Sequence, residues 1–415
     1  MPADFSVAEW SSVKLLSPLP ALPADPTNKF ADNAAAATLG QRLFFDKTYS
    51  GALAVGDDTT NGGLGAVGDK GKISCASCHL GAGLDDQRSK PNNVSLGADY
   101  GSRNALTMTN ASYYKWVNWA GRFSSQWELP LAVVENAKNM NSDRLRIVHF
   151  LFDKYKAEYE AIFGALDPAL GSDAARFPAS GKPKANAAAA DGAWEGMTAA
   201  DRMIVNTAFV NFAKSLQAYM RKLTVKTSRF DRFVAGSFTE LTADERAGLK
   251  LFNGKAACST CHSGPNFTDD GFHALGVPQT GPRVPAVDNG RFADVPPLLA
   301  SPFNSAGSFS DDKVVGAARL AGLTDPPPDS AKGQFRTPSL RNVSRTAPYM
   351  HAGQFATLED VIAFYDQGGG TATVGAKELM ALNLTATEKA QLVAFLKALD
   401  LDALPAAILA NTAAN

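Results

Sequence analysis

The chain has 415 residues, room for two or three domains on the usual length scale. Its 40 basic and 41 acidic side chains leave a formal net charge of −1, which excludes the basic stripe of a nucleic-acid binder. With 45% apolar and 20% charged residues it is no disordered chain, and no apolar run approaches the roughly 20 residues of a transmembrane segment.

Residues 1–32, rich in Pro and Ala, read as an extended N-terminal arm. The first 20 residues carry neither a basic n-region nor an apolar core, so no secretory signal is present. Asn33 to Phe45 reads as a helix, with Leu39 and Leu43 one turn apart. Residues 50–72 form a Gly/Asp/Thr loop that leads into Cys75. Apolar positions Leu145, Val148, Phe152, Tyr155 and Tyr159 recur at helical steps from Ser142, a cap, to Gly164, a stop. Residues 165–195 are a low-complexity Ala/Gly/Pro/Lys insertion expected as a surface loop. Thr198 with Asp201 opens a long helix, and Thr242 with Glu245 opens the one ahead of Cys258. Residues 276–335 show little periodicity and read as a long functional loop. Two more helices begin at Thr357/Asp360 and Thr385/Glu388. The 35 Gly and 23 Pro fit a mainly α chain with long ordered loops. A helix ending in Leu-Phe precedes a cysteine pair in each half (Leu43-Phe44, Leu251-Phe252), which suggests two related domains.

All four cysteines fall in Cys75-Ala76-Ser77-Cys78-His79 and Cys258-Ser259-Thr260-Cys261-His262, both C-x-x-C-H, the signature of covalent haem c. Two thiols one short turn apart can add to the two vinyl groups on one porphyrin edge, and the adjacent His then supplies the proximal nitrogen to iron. One such match has a chance of about one in two thousand from this composition. Structural zinc would not require a His after each pair, and a thioredoxin-like pair would not occur twice with one.

The remaining histidines are His149, His273 and His351. His149 lies on the apolar face of its helix and reads as structural. His273 and His351 follow the second motif and read as its surroundings. Residues 80–148 hold no His, and their only methionines are Met108 and Met140, so the first haem lacks an obvious sixth ligand. An open position of that kind can bind peroxide or oxygen.

In order along the chain stand Leu43-Phe44-Phe45-Asp46, the first motif, Arg103-Asn104-Ala105, Trp119-Ala120-Gly121-Arg122 and the second motif. Thr337-Pro338-Ser339-Leu340-Arg341-Asn342 and Thr346-Ala347-Pro348-Tyr349-Met350-His351 follow. This series resembles the bacterial dihaem cytochrome c peroxidase/MauG superfamily over residues 33–400. The resemblance implies two cytochrome c-like haem domains, a peroxidatic one over 33–225 and an electron-transfer one over 226–400, with 401–415 as a tail. It implies that Trp119 lies between the haems and relays electrons. It also implies that Asn104, with the carbonyls of Thr346 and Pro348, binds one Ca²⁺, a hard ion suited to oxygen donors. Tyr365 stands where peroxidases of the family place a methionine on the second iron, as in MauG-like members.

Two departures are plain. The loop before Arg103 reads Leu96-Gly97-Ala98-Asp99-Tyr100 and lacks the distal His of relatives that need reductive activation. The family's distal acid aligns with Asn139, which cannot shuttle protons as a carboxylate does; Glu135, four residues earlier, is the substitute expected. The stretch from Trp127 to Arg144 resembles the MauG-like branch, which includes an enzyme that modifies tryptophan on a partner protein. The expected function is therefore a dihaem peroxidase that uses hydrogen peroxide at an open first haem. It would oxidise a partner, such as tryptophan or another residue of a protein, with the oxidising equivalents shared through Trp119. The alternatives are a cytochrome c peroxidase fed by a small cytochrome or cupredoxin, and a non-enzymatic dihaem electron carrier. Because such haem attachment occurs outside the bacterial cytoplasm, the expected location is the periplasm, with the leader removed.

Overall fold

The computed structural model describes residues 1–56, 64–86, 88–91 and 93–413. Residues 57–63 of the expected 50–72 loop therefore lie outside the described residues. Among these the chain is mainly helical. In order come α1 (Val7–Lys14), α2 (Ala34–Phe45), α3 (Glu128–Glu135), α4 (Arg144–Lys154), α5 (Lys156–Phe163), α6 (Ala193–Gly196) and α7 (Ala199–Met220). Then follow α8 (Arg229–Val234), α9 (Ala243–Asn253), α10 (Arg291–Ala300), α11 (Lys313–Leu320), α12 (Leu358–Asp366), α13 (Ala386–Ala398) and α14 (Ala406–Leu409). One small sheet pairs β1 (Phe272–His273) antiparallel to β2 (Phe335–Arg336).

The capping residues act as their types demand. Thr242, Thr357 and Thr385 each accept the backbone N–H three residues on, while Glu245, Asp360 and Glu388 reach back to the cap. The expected helix from Ser142 to Gly164 is instead two, broken at Tyr155, whose hydroxyl donates to the buried Asp46. Its cap is Asp143; Ser142 donates to the Tyr49 carbonyl. The 165–195 insertion is not wholly surface, because Leu166, Leu170, Phe177 and Trp194 are buried in the first core. His149 is structural, with Nε2 against the carbonyls of Phe177 and Pro178. The 276–335 loop contains α10 and α11, hidden in the sequence by Pro296 and Pro297 inside the former.

Among the described residues two large apolar cores stand beside two smaller clusters. The first gathers residues from Leu39 to Leu223 together with Phe303, around the packing of α2 on α7. The second gathers Phe230 to Leu399, around α9 on α13. Each crossing is closed by a glycine. A Cβ at Gly40 would sit 1.9 Å from the Ser215 carbonyl oxygen, and one at Gly248 would sit 2.0 Å from that of Gln391. Both begin a Gly-x-x-Leu-Phe sequence, so the Leu-Phe repeat marks equivalent helices.

The termini cross over. The N-terminal arm is not simply extended: Phe5, Trp10 and Val13, the last two in α1, are buried in the second core. The C-terminal tail goes the other way, with Tyr219 donating to the Ile408 carbonyl and Gln41 to that of Ala407. Between the halves, two seven-residue loops match at an offset of 232 residues, Val117–Phe123 and Tyr349–Phe355. Their contacts are reciprocal. The Asn104 N–H donates to the His351 carbonyl (2.8 Å), and the Arg336 N–H, at the same offset, donates to that of Trp119 (2.7 Å).

Candidate functional site

Both cysteine motifs fold into the same short turn. The N–H groups of Cys78 and His79 donate to the Cys75 carbonyl, and those of Cys261 and His262 to that of Cys258. Five residues after each His a carbonyl turns back onto its Nδ1: Leu84 at 3.2 Å from His79, Phe267 at 3.0 Å from His262. An Nδ1–H held this way leaves the Nε2 lone pair free for a metal. Burial lowers the pKa of both imidazoles against the opposing pull of those carbonyls, so both are neutral and able to ligate.

Burial pushes the Cys75 thiol up to about 11 and those of Cys78 and Cys258 to about 12. Among the described residues one group of metal-ligating types could share an ion: Cys261, Asp269 and His273, with donor atoms within 4.8 Å of one another. Both His273 nitrogens already face carboxylates, Asp269 at 2.9 Å and Glu378 at 2.7 Å. Cys261, Glu378 and Asp269 together push His273 up to about 10, against burial.

A cavity of about 580 Å³ opens over the second motif. Cys258, Cys261 and His262 line it, and so does Tyr365, from the last turn of α12. Burial pushes the Tyr365 phenol well above its ordinary pKa, with the charges of Cys258 and Cys261 adding to the shift. The donor set and the apolar wall of Phe252, Leu392 and Leu396 fit a haem c bound by His262.

The same cavity reaches Trp119, Asn104, Thr346, Pro348, His273 and His351, so it joins the second motif to the seam between the halves. Trp119 is half-buried, and its indole N–H donates to the Asn104 carbonyl at 2.8 Å. The Asn104 side chain lies against Gly353, beside Pro348, and accepts from Ser89 at 3.2 Å. His351 stacks on Phe335 (3.9 Å between centroids, 9°), and burial lowers it to about 4, so it is neutral. Arg103 closes the seam with two hydrogen bonds to Asp288 and one to Asp294, all at 2.7 Å.

On the side of the first motif, Tyr49 approaches Cys75 (3.8 Å) and Arg88 approaches Cys78 (3.5 Å). Residues 95–101 are bound at several points. The Asn139 carbonyl accepts from the Ala98 N–H at 2.7 Å, the Ala98 carbonyl from Ala54 and Val55, and the Leu96 carbonyl from Arg88 at 2.6 Å. Asn139 thus meets this loop through its backbone. Both oxygens of Glu135 are held by Arg144, each at 2.8 Å. A second acid went unnoticed in the sequence. Glu128 is buried among Ser124 and Ser125, and burial raises it to about 7. Its signal was the pair of serines three and four residues earlier.

Residues 34–239 match the family described as di-haem cytochrome c peroxidase. The cytochrome-c peroxidase IdrP1 of Denitromonas iodatirespirans is 31% identical over 406 residues, 93% of this chain and 86% of that protein. The methylamine utilization protein MauG of Methylophilus methylotrophus is 25% identical over 88% of this chain and 82% of its own. Among solved structures, a MauG-like protein associated with microbial copper homeostasis superposes with a TM-score of 0.61 at 23% identity, covering 95% of this chain and 98% of that one. The diheme peroxidase BthA from Burkholderia thailandensis gives 0.61 at 21% identity over 91% and 89%. These two share the fold.

Proposed function

The chain belongs to the di-haem cytochrome c peroxidase/MauG family and is a haem-dependent oxidoreductase, and from that premise we propose that it works in the MauG manner. In this reading it consumes hydrogen peroxide at the first haem and oxidises a partner protein at a distance, in the periplasm. When bound, the haems supply iron that reacts with peroxide and that takes up and releases electrons. The chain supplies positions. His79 and His262 offer neutral Nε2 atoms, their Nδ1–H groups being engaged by carbonyls. Trp119 is fixed at its indole N–H by Asn104 and at its carbonyl by Arg336, as suits a relay that must not move. Asn104, with the Thr346 and Pro348 carbonyls, is the proposed Ca²⁺ site; an ion there would brace the carbonyl on which Trp119 rests.

The observation that carries this reading is Tyr365 in the cavity of Cys258, Cys261 and His262. A phenolate donor favours the oxidised metal, whereas the methionine of an ordinary peroxidase favours the reduced one. The loop before Arg103 adds support: it holds no His, and backbone hydrogen bonds from Ala98 to Asn139 and from Asp99 to Lys138 fix it in place.

Stopped-flow mixing of the ferric, doubly loaded protein with hydrogen peroxide, without reductant, tests this. A prompt spectral change is expected. A need for prior reduction would make it a cytochrome c peroxidase fed by a small redox protein, and silence in both states would make it an electron carrier. With Glu135 held by Arg144, Glu135→Gln should lower stability and leave the rate unchanged. A slower reaction would assign Glu135 the proton-transfer role.

A further inference from the structure

The segment that follows Tyr365 in the chain crosses the second cavity, and three side chains with no part in the mechanism above fasten it there. α12 ends at Asp366, and residues 370–384 then line the cavity with Thr373, Glu378, Leu379, Met380 and Leu382. The root of this strap is tied to the ligand residue itself, since the Gly368 N–H donates to the Tyr365 carbonyl at 2.9 Å. Its end returns to the same helix, with the Leu384 N–H donating to Asp366 Oδ1 at 2.7 Å. Near the middle Met380 is 82% exposed, while Val374 and Gly375 pass close to Gly333 and the Lys332 carbonyl.

The side chain that ties the middle to β1 is Glu378. Its N–H donates to the Ala274 carbonyl and its Oε1 accepts from the Ala274 N–H, both at 2.9 Å. Its Oε2 meets His273 Nδ1 at 2.7 Å, and His273 Nε2 meets Asp269 Oδ2 at 2.9 Å. The Asp269 N–H donates to the Cys261 carbonyl at 2.8 Å, so the chain of contacts ends on the haem-attachment turn. A carboxylate only accepts, so an imidazole between two of them donates from both nitrogens and carries a positive charge. Two charge-assisted hydrogen bonds therefore meet on one ring that sits on β1.

We propose that Asp269, His273 and Glu378 are positioning residues, a clasp that holds the 370–384 strap to β1 and so fixes the phenol of Tyr365 beside the second haem. The proposal rests on the reading of Tyr365 as a ligand of that haem.

The test uses the doubly loaded protein and reads the second haem's electron paramagnetic resonance signature together with backbone amide exchange in 370–384. Glu378→Gln can keep the contact to Ala274 while turning an NH₂ toward His273; His273→Phe removes the ring's donors. Both should speed strap exchange by about tenfold or more, the loss of a hydrogen bond to a charged group, and both should split the second-haem signal into more than one species. Parental exchange, or a parental signal despite faster exchange, in both variants overturns the proposal. Tyr365→Phe separates the two layers. It should abolish the parental signal with strap exchange unchanged. If it leaves the signal intact, the ligand reading fails, and the positioning claim falls with it even where the strap loosens.

Discussion

Glu128 is buried and accepts from the hydroxyls of Ser124 and Ser125, which makes it a site where folding and protonation compete. Burial raises its pKa from 4.5 to about 7, outweighing the hydrogen bonds from Ser124 and Ser125. A folded-state pKa above the unfolded one stabilises the protein fully below pH 4.5 and loses that contribution as pH rises through 7. The shift corresponds to about 3 kcal/mol. Glu128→Gln should therefore flatten the decline of melting temperature between pH 4.5 and 7, and an unchanged decline would overturn the assignment. At this scale the sequence was most legible where chemistry demands contiguous residues. Cys75, Cys78 and His79 must be neighbours to bind one haem, so their pattern is visible in a line of text. The ring of His273 meets Glu378 105 residues away, and nothing local announces that pair.

The crossing of α9 on α13 depends on a missing side chain. Because the obstacle at Gly248 is the backbone carbonyl of Gln391, no rotamer change relieves it. Gly248→Ala should destabilise by about 3 kcal/mol or more, the upper end for overpacking, despite the roughly 1 kcal/mol gain in helix propensity. Gly40→Ala should do the same against Ser215. Gly196→Ala, at the end of α6 with nothing within 4 Å of the added methyl, should be neutral or slightly stabilising. Thermal unfolding of the three variants checks the order; equal effects would refute the close-approach argument. The helices read correctly from sequence carry a cap and an apolar stripe, as α9, α12 and α13 do. α3, whose first residue follows Trp127 with no side-chain cap, and α10, with two prolines inside, lack those signs and were missed. α1 was missed because Phe5, Trp10 and Val13 find their apolar partners beyond residue 229, in the second core.

The whole molecule is held together across its seam as much as within each half. Each terminus covers the other half's core, and the reciprocal backbone bonds of Asn104 and Arg336 pair the two loops that carry Trp119 and His351. One charged link is Arg103, which meets Asp288 and Asp294 of the second half, both at 2.7 Å. Burial alone would raise the pKa of Asp288, but the hydrogen bonds and charge of Arg103 hold it below its ordinary value. Such a carboxylate stabilises the fold above its unfolded pKa, and the contribution is lost as pH falls through the depressed folded value. Removing the cation reverses the sign, because a buried Asp288 without Arg103 is easier to keep when protonated. Arg103→Ala should therefore cost about 3–5 kcal/mol at pH 7, the penalty for breaking a buried pair. Arg122, 3.6 Å from Asp294, offsets part of that loss. The gap between parent and variant should narrow as the solution is acidified toward pH 4. Calorimetric unfolding at pH 7 and pH 4.5 of both proteins reads it directly. A gap that stays constant or widens on acidification would mean that Asp288 does not carry the link between the halves.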